Sequence, residues 1–136
     1  MVMDFWAKKK VTITGGAGFI GSHLAQNLVD SGSYVKVVDN LERGNIEYIQ
    51  PFLDDIEFIE GDVRIMNTCY DICDGADIVI HLASKVGGIG YYLHKPGEVI
   101  THNMKMDNNM IQAVLKKKVD KYFYASSAHV YPIELQ

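Results

Sequence analysis

Three glycines with regular spacing follow the first apolar run of the sequence. Gly15, Gly18 and Gly21 stand in the stretch TGGAGFIGSHL. Glycine allows a tight turn and a close approach of backbone to a ligand, because it has no Cβ. The run before these residues predicts a strand, and the segment after them predicts a helix whose N-terminal N–H groups favour phosphate. The pattern therefore predicts a turn that binds the pyrophosphate of a dinucleotide.

An aspartate at the end of the second predicted strand fits the same ligand. Asp39 lies close to the ~20 residues past the glycines at which an acid accepts hydrogen bonds from the adenosine ribose. A carboxylate there repels a 2′-phosphate, which favours NAD over NADP. Arg43 keeps NADP as an alternative cofactor, because a guanidinium can hold a 2′-phosphate. The same residue is also explained as a solvated loop cation. We expect NAD, with NADP less favoured.

A second acid follows the third predicted strand. Asp62 stands in EGDVR, and strand ends line the crevice at the carboxyl edge of a parallel sheet, where the adenine is expected. The same carboxylate could instead cap the helix predicted to follow it. Both interpretations stay open on the sequence alone.

Short β-branched runs alternate with segments of helical periodicity along the chain. This alternation predicts βαβ units around a parallel sheet in an α/β fold. The predicted strands are Lys10–Thr14, Tyr34–Asp39, Ile56–Glu60, Asp77–Leu82 and Lys121–Ala125. The predicted helices are Gly18–Asp30, Asn45–Leu53, Ile65–Cys73 and Val99–Lys118, and the glycine-rich segment Ser84–Gly97 is predicted to be a loop.

Composition narrows the classes of protein to consider. A chain of 136 residues fits one domain, and a net charge of -4 with a pI near 5.6 argues against a nucleic-acid partner. Nowhere do ~18 apolar residues run without a charge, so we expect no membrane span. The N-terminal lysines follow a very short apolar patch, the wrong order for a secretory signal, which favours a cytoplasmic protein. Cys69 and Cys73 are expected to be reduced, half-buried core thiols, and we expect no metal site.

Five segments stand in a characteristic order along the chain: TGGAGFIGSHL, VVDNLERG, EGDVR, IVIHLAS and YFYASSAHVY. In this order they resemble the extended short-chain dehydrogenase/reductases, the NAD-dependent epimerase/dehydratase family that acts on nucleotide sugars. KVGGIG and KYFYASSAHVYP are most similar to the GDP-mannose 3,5-epimerase and GDP-fucose synthase branches. The resemblance implies a Rossmann-like doubly wound parallel sheet with strand order 3-2-1-4-5. Residues 1–136 would form the NAD-binding domain of a longer, homo-oligomeric enzyme whose substrate part is absent.

The resemblance also implies roles for residues at the strand ends. Those expected at the pyrophosphate are Gly15, Gly18, Phe19, Ile20 and Gly21. Those expected at the adenosine are Asp39, Asn40, Asp62 and Val63. Those expected beside the nicotinamide half are Leu82, Ala83, Ser84 and Lys85, with Gly87 and Gly88 near the hexose.

The catalytic residues implied by the resemblance follow the fifth predicted strand. Ser127 matches the family's catalytic serine, although a strand-end hydroxyl can also cap the backbone. His129 stands where the GDP-sugar branches carry an acid–base cysteine; imidazole can do the same proton chemistry, or it can simply pack.

The family's tyrosine and lysine, spaced YxxxK, lie on a helix after the fifth strand, and the chain stops at Gln136 before such a helix. The string Tyr91–Lys95 has this spacing, but it falls in the predicted loop and is not expected to serve. We therefore expect the 136 residues to bind cofactor without turnover, with a non-enzymatic dinucleotide-sensing module as the alternative. The fifth strand would present an apolar edge, which predicts dimers or larger species.

Overall fold

The computed structural model of the protein describes residues 5–127 and 130–135. Within these ranges the chain forms a five-stranded sheet in the order β3-β2-β1-β4-β5, with every adjacent pair parallel. The strands are β1 (Lys10–Thr14), β2 (Tyr34–Asp39), β3 (Ile56–Glu60), β4 (Ile78–His81) and β5 (Lys121–Tyr124). The predicted α/β fold and its strand order are confirmed.

The carboxyl ends of the inner strands are level with one another. Thr14, the last residue of β1, pairs with Val38 of β2 and with His81 of β4. His81 in turn pairs with Tyr124, the last residue of β5. The loops that follow these strands therefore leave the sheet along one edge, where ligands bind in open α/β sheets.

Helices cover both faces of the sheet. Their bounds are α1 (Phe19–Asp30), α2 (Met66–Cys73), α3 (Ile89–His94) and α4 (Pro96–Lys117). One apolar core joins Ile13 and Val37 of the sheet to Ala25 and Leu28 of α1. The other core, on the opposite face, joins Val38 and Val79 to α2 and α4 through Cys69, Ile72, Met110 and Ala113. Burial of the strands on both faces explains their nearly continuous apolar sequences.

Two predicted connections were wrong. The helix expected over Asn45–Leu53 is instead two short 3-10 segments, Ile46–Tyr48 and Gln50–Asp55, separated at Ile49. Pro51 lacks an N–H, and Phe52 has a non-helical φ of -132°, so an α-helix does not continue there. The segment expected as a loop contains α3, and α4 begins at Pro96, where the first turn of a helix tolerates proline.

The two cysteines are free thiols on α2, as predicted, but they are fully buried rather than half-buried. The Sγ of Cys69 donates to the carbonyl oxygen of Val63 at 3.1 Å. Over the described ranges, none of the helices has the length and apolar character needed to cross a membrane.

Candidate dinucleotide-binding site

A cavity of about 360 Å³ opens at the carboxyl edge of the sheet, among the loops that follow β1, β2, β3 and β4. Eleven of the residues expected at a cofactor line it: Gly15, Gly18, Phe19, Asp39, Asn40, Asp62, Val63, Leu82, Ala83, Ser84 and Lys85. Glu42, Arg43, Arg64, Val86 and Met106 line it as well, and of these only Arg43 was anticipated from the sequence. The structure thus brings together residues that are far apart in the chain.

The glycines after β1 are required by close backbone packing. Gly15 has a φ of +70°, and a Cβ on it would lie 2.8 Å from the amide nitrogen of Ala83. A Cβ on Gly21 would lie 2.4 Å from the carbonyl oxygen of Gly15, so Gly21 allows α1 to pack against the turn. Ile20 lies next in the helix with 70% of its surface exposed, and neither it nor Gly21 lines the cavity.

The start of α1 is suited to an anion. Gly18 is the N-cap of the helix, no side chain among the described residues forms a hydrogen bond that caps it, and its first turn contains no acid. The first N–H groups of a helix have no acceptor within the helix, and the helix dipole places partial positive charge at this end. Gly18 and Phe19 both line the cavity, so this end of α1 borders the space where a pyrophosphate would lie.

Asp39 is held rigidly beside the glycine turn. Its Oδ2 accepts a hydrogen bond from the Ala17 amide at 3.0 Å, and its Oδ1 accepts one from the Leu41 amide at 2.9 Å. A Cβ on Gly44 would lie 2.5 Å from Oδ1, so glycine leaves the space beside this carboxylate free. Each carboxylate oxygen keeps a lone pair for a further donor, such as a ribose hydroxyl.

Asp62 forms a bidentate pair with Arg64. The Arg64 Nε lies 2.9 Å from both carboxylate oxygens, and Nη2 lies 2.5 Å from Oδ2. The hydrogen bonds from Arg64 lower the pKa of the Asp62 carboxyl. The helix-capping interpretation of Asp62 was wrong, because the residue at the cap position of α2 is Ile65 and the carboxylate instead accepts from the Arg64 amide at 2.8 Å.

Charged side chains cross the cavity mouth. Glu42 forms an ion pair with Lys85 and lies 3.5 Å from the Arg64 guanidinium. The Arg43 Nη1 donates to the carbonyl oxygen of Val86 at 3.1 Å, so it is not simply a solvated loop cation. These contacts join the loops after β2, β3 and β4.

The expected substrate residues, Gly87 and Gly88, and Ser127 do not line the cavity. A Cβ on Gly87 would lie 2.5 Å from the Tyr91 ring, and Gly88 is the N-cap of α3. Ser127 is exposed three residues after β5, is not among the residues that line the cavity, and its carbonyl oxygen accepts from the Val130 amide at 3.2 Å. His129 falls outside the described residues.

The YxxxK string lies on and just after α3, not in a loop as predicted. The Tyr91 hydroxyl donates to Glu98 at 2.8 Å, and the Lys95 ammonium lies 3.2 Å from the same carboxylate. The bond to Glu98 raises the pKa of Tyr91. Both side chains of this pair therefore already bind the Glu98 carboxylate.

A polar network centred on the buried His81, beside the cavity, was not predicted from the sequence. The His81 ring lies between Thr14 and Asp107: its Nδ1 is 2.6 Å from the Thr14 Oγ1, and its Nε2 is 3.2 Å from an Asp107 oxygen. The Ala83 amide donates to the same Thr14 oxygen at 3.3 Å, and the Tyr124 hydroxyl donates to Asp107 at 3.0 Å. The signal available was a histidine inside the otherwise apolar run IVIHLAS.

A second cavity, of about 440 Å³, opens at the amino edge of the sheet and is lined by Lys10, Tyr34, Asp74 and Gly75, among others. It is larger than the first, but its lining includes neither the glycine turn nor the start of α1. Size alone therefore does not identify the site. The anion-binding geometry lies at the carboxyl edge.

Comparison with known proteins agrees with this geometry. The sequence model of the NAD dependent epimerase/dehydratase family matches residues 11–136. UDP-N-acetyl-alpha-D-glucosaminuronate decarboxylase of Bacillus cytotoxicus is 39% identical over 124 residues, which are 91% of this chain and 38% of that protein. GDP-mannose 3,5-epimerase 1 of Oryza sativa subsp. japonica is 34% identical over 131 residues, 95% of this chain and 34% of that protein.

A solved structure is similar in fold as well. UDP-glucose 4-epimerase from Stenotrophomonas maltophila, with bound NAD and formylated UDP-arabinopyranose, superimposes with a TM-score of 0.82 at 26% identity, over 90% of this chain and 38% of that one. The chain thus spans little more than a third of the length of these relatives. The match over residues 11–136 confirms the resemblance, and the chain belongs to the NAD dependent epimerase/dehydratase family.

Proposed function

We propose that the cavity at the carboxyl edge binds NAD. The observation that carries this proposal is the N-terminus of α1, which has no side-chain cap among the described residues and borders the cavity beside a glycine turn. The strand order reverses between β1 and β4, and dinucleotides bind across that point in doubly wound sheets. The adenosine half would then lie toward β2 and β3, and the nicotinamide half toward β4.

The charges near the ribose favour NAD over NADP. The Asp39 carboxylate is fixed by two amides and would repel a 2′-phosphate. Both nearby guanidinium groups already have partners, because Arg43 binds the Val86 carbonyl and Arg64 binds Asp62. A 2′-phosphate would have to break one of these contacts.

Calorimetric titration with NAD and NADP tests the cofactor. We expect NAD to bind at least about tenfold more tightly, a difference of about 1.4 kcal/mol. Asp39→Asn should reduce the ratio of the affinities for NAD and NADP, because it weakens the binding of NAD. Asp54→Asn, at an exposed position, should not change this ratio. Tighter binding of NADP to the wild-type chain would contradict the assignment.

For the whole protein we propose an NAD-dependent epimerase, dehydratase or reductase that acts on a nucleotide sugar. The family model and the similarity to GDP-mannose 3,5-epimerase 1 support this proposal, in which the chain would form the NAD-binding domain, residues 1–136. Bound NAD would supply hydride transfer at a sugar carbon. Ser127 would donate a hydrogen bond to the sugar oxygen, His129 would exchange a proton, and Gly87 and Gly88 would approach the hexose.

The 136 residues alone are expected to bind without turnover. None of the described residues that line the cavity is a tyrosine, and Tyr91 and Lys95 bind Glu98. Chromatography of GDP- and UDP-sugars incubated with the chain and NAD should show no sugar product under conditions where calorimetry detects NAD binding. A sugar product that accumulates with time would contradict this expectation.

A further inference from the structure

The polar network beside the cavity is built on the sheet register. Thr14, His81 and Tyr124 are the last residues of β1, β4 and β5, and each pairs with the next across the sheet. Side chains at paired positions of neighbouring strands lie on the same face. That face is covered by α4, which contributes Asp107. The network therefore joins three adjacent strands to one helix.

The hydrogen bonds of this network have a fixed direction. A carboxylate only accepts, so the His81 Nε2 must donate to Asp107. In the neutral ring Nδ1 is then an acceptor, and the Thr14 hydroxyl donates to it while its oxygen accepts from the Ala83 amide. Burial lowers the pKa of His81, with Asp107 acting in the opposite direction, which keeps the ring neutral.

The network ends at the wall of the cavity without entering it. The His81 side chain is only 1% exposed, and neither it nor Asp107 lines the cavity. Ala83 does line it, and Gly15 packs directly against the Ala83 backbone. The Thr14 hydroxyl thus fixes the separation between the glycine turn and the loop after β4. The Tyr122 and Tyr124 rings flank His81 at 6.3 and 6.2 Å between centroids.

We propose that His81 is a positioning residue for the nicotinamide side of the cavity, and that it acts by coupling Thr14 and the Ala83 amide to Asp107 and Tyr124. This inference rests on the proposed binding of NAD. The adenosine half of the site, at Asp39 and Asp62, has its own hydrogen bonds and does not depend on the network.

Comparison of NAD with ADP-ribose, which lacks the nicotinamide, separates positioning from general stability. Asp107→Ala should weaken the binding of NAD about tenfold, the loss expected for one hydrogen bond. The same variant should leave the affinity for ADP-ribose nearly unchanged. Asp107→Asn keeps an acceptor for His81 and should restore most of the NAD affinity. Asn108→Ala, at the neighbouring exposed position of α4, is the matched control.

Two further measurements keep the test decisive. Tyr124→Phe removes only the hydroxyl that binds Asp107. It should produce a smaller loss of affinity that is again confined to NAD, and it replaces Asp107→Ala in the test if that variant does not fold. Nitrogen-15 spectra of the wild-type imidazole at pH 7 should show a neutral ring protonated at Nε2.

Equal weakening of NAD and ADP-ribose by Asp107→Ala, no weakening by that variant, or a ring protonated at Nδ1 would each overturn the positioning role. Failure of the wild-type chain to bind either ligand would instead overturn the proposed function, while the imidazole spectrum would still report the direction of the hydrogen bonds.

Discussion

Gly21 occupies a position where a side chain would collide with backbone atoms. A Cβ there would lie 2.4 Å from the Gly15 carbonyl oxygen and 2.6 Å from the Gly16 Cα, and neither atom can rotate away. Gly21→Ala should therefore lower the free energy of unfolding by about 1–3 kcal/mol, the usual cost of overpacking, and weaken NAD binding. Urea unfolding and calorimetry measure the two effects.

Gly90→Ala is the control for this substitution. Gly90 lies within α3, and nothing lies within 4 Å of the position of its added Cβ. Alanine also favours the helix over glycine, so the control should be neutral or slightly stabilising. A Gly21→Ala chain as stable as the wild type would show that the backbone of the glycine turn can move to accommodate a Cβ, which would contradict the prediction.

The two buried thiols provide a second test at the residue scale. Burial raises the pKa of Cys69 to about 12 and that of Cys73 to about 11, and the thiolate is the reactive form. Both should resist a thiol reagent at pH 8 and react promptly after unfolding. Rapid labelling of the folded chain would contradict the described packing.

The same two pKa shifts predict a loss of stability in alkali. Because the folded pKa values lie above the ordinary 9.0, unfolding releases protons at high pH. The contribution of the two protonated thiols to the free energy of unfolding is therefore fully present below about pH 9, and it is lost as the pH rises toward the folded pKa values of about 11 and 12.

Residues with a local sequence signal were found at the cavity, whereas those joined only by the fold were not anticipated. Gly15, Gly18 and Asp39 belong to a pattern with fixed spacing near a strand and a helix start, and all three line the cavity. His81 and Asp107 meet because β4 and α4 pack together, and no spacing in the sequence indicates this.

At the scale of the elements, the end of α4 carries a strained residue. Lys118 has a φ of 56°, and the Val119 amide bonds to the Val114 carbonyl, which is the usual helix ending with glycine in the left-handed position. A non-glycine residue there costs about 1 kcal/mol. Lys118→Gly should therefore raise the free energy of unfolding by about 0.5–1 kcal/mol.

Gln112→Gly, at an exposed position six residues earlier within α4, is the matched control. Glycine inside a helix costs about 1 kcal/mol, so this variant should be less stable than the wild type. A melting temperature lowered by Lys118→Gly would show that the lysine side chain stabilises the fold by more than the strained backbone at this position destabilises it.

The strands were more predictable than the connections. Buried parallel strands carry long β-branched runs, and the bounds of β1, β2 and β3 agree with prediction at both ends. The 3-10 segments around Pro51 and the short helix α3 depend on side-chain contacts that periodicity does not report. The Tyr92 hydroxyl, for example, accepts from the Gly87 amide at 3.3 Å.

For the whole molecule, the outer edge of β5 predicts self-association. Among the described residues β5 pairs only with β4, and Phe123 and Tyr124 are each 53% exposed. An unpaired apolar edge favours pairing with a second chain. We expect light scattering to detect dimers or larger species whose proportion rises with concentration.

Phe123→Lys should shift that equilibrium toward monomer, because a charge on an edge strand opposes pairing. Tyr48→Lys replaces an aromatic residue with similar exposure, away from β5, and should leave it unchanged. A wild-type chain that stays monomeric at high concentration would contradict the prediction.

Amide chemical shifts during a titration with NAD test most directly whether NAD lies across the carboxyl edge of the sheet. We expect the largest shifts at Gly15, Gly18, Asn40, Val63 and Ala83, with little change at Lys10, Tyr34 and Gly75 around the larger cavity at the amino edge. Shifts concentrated at the amino edge, or a folded chain whose spectrum does not respond to NAD, would contradict the account.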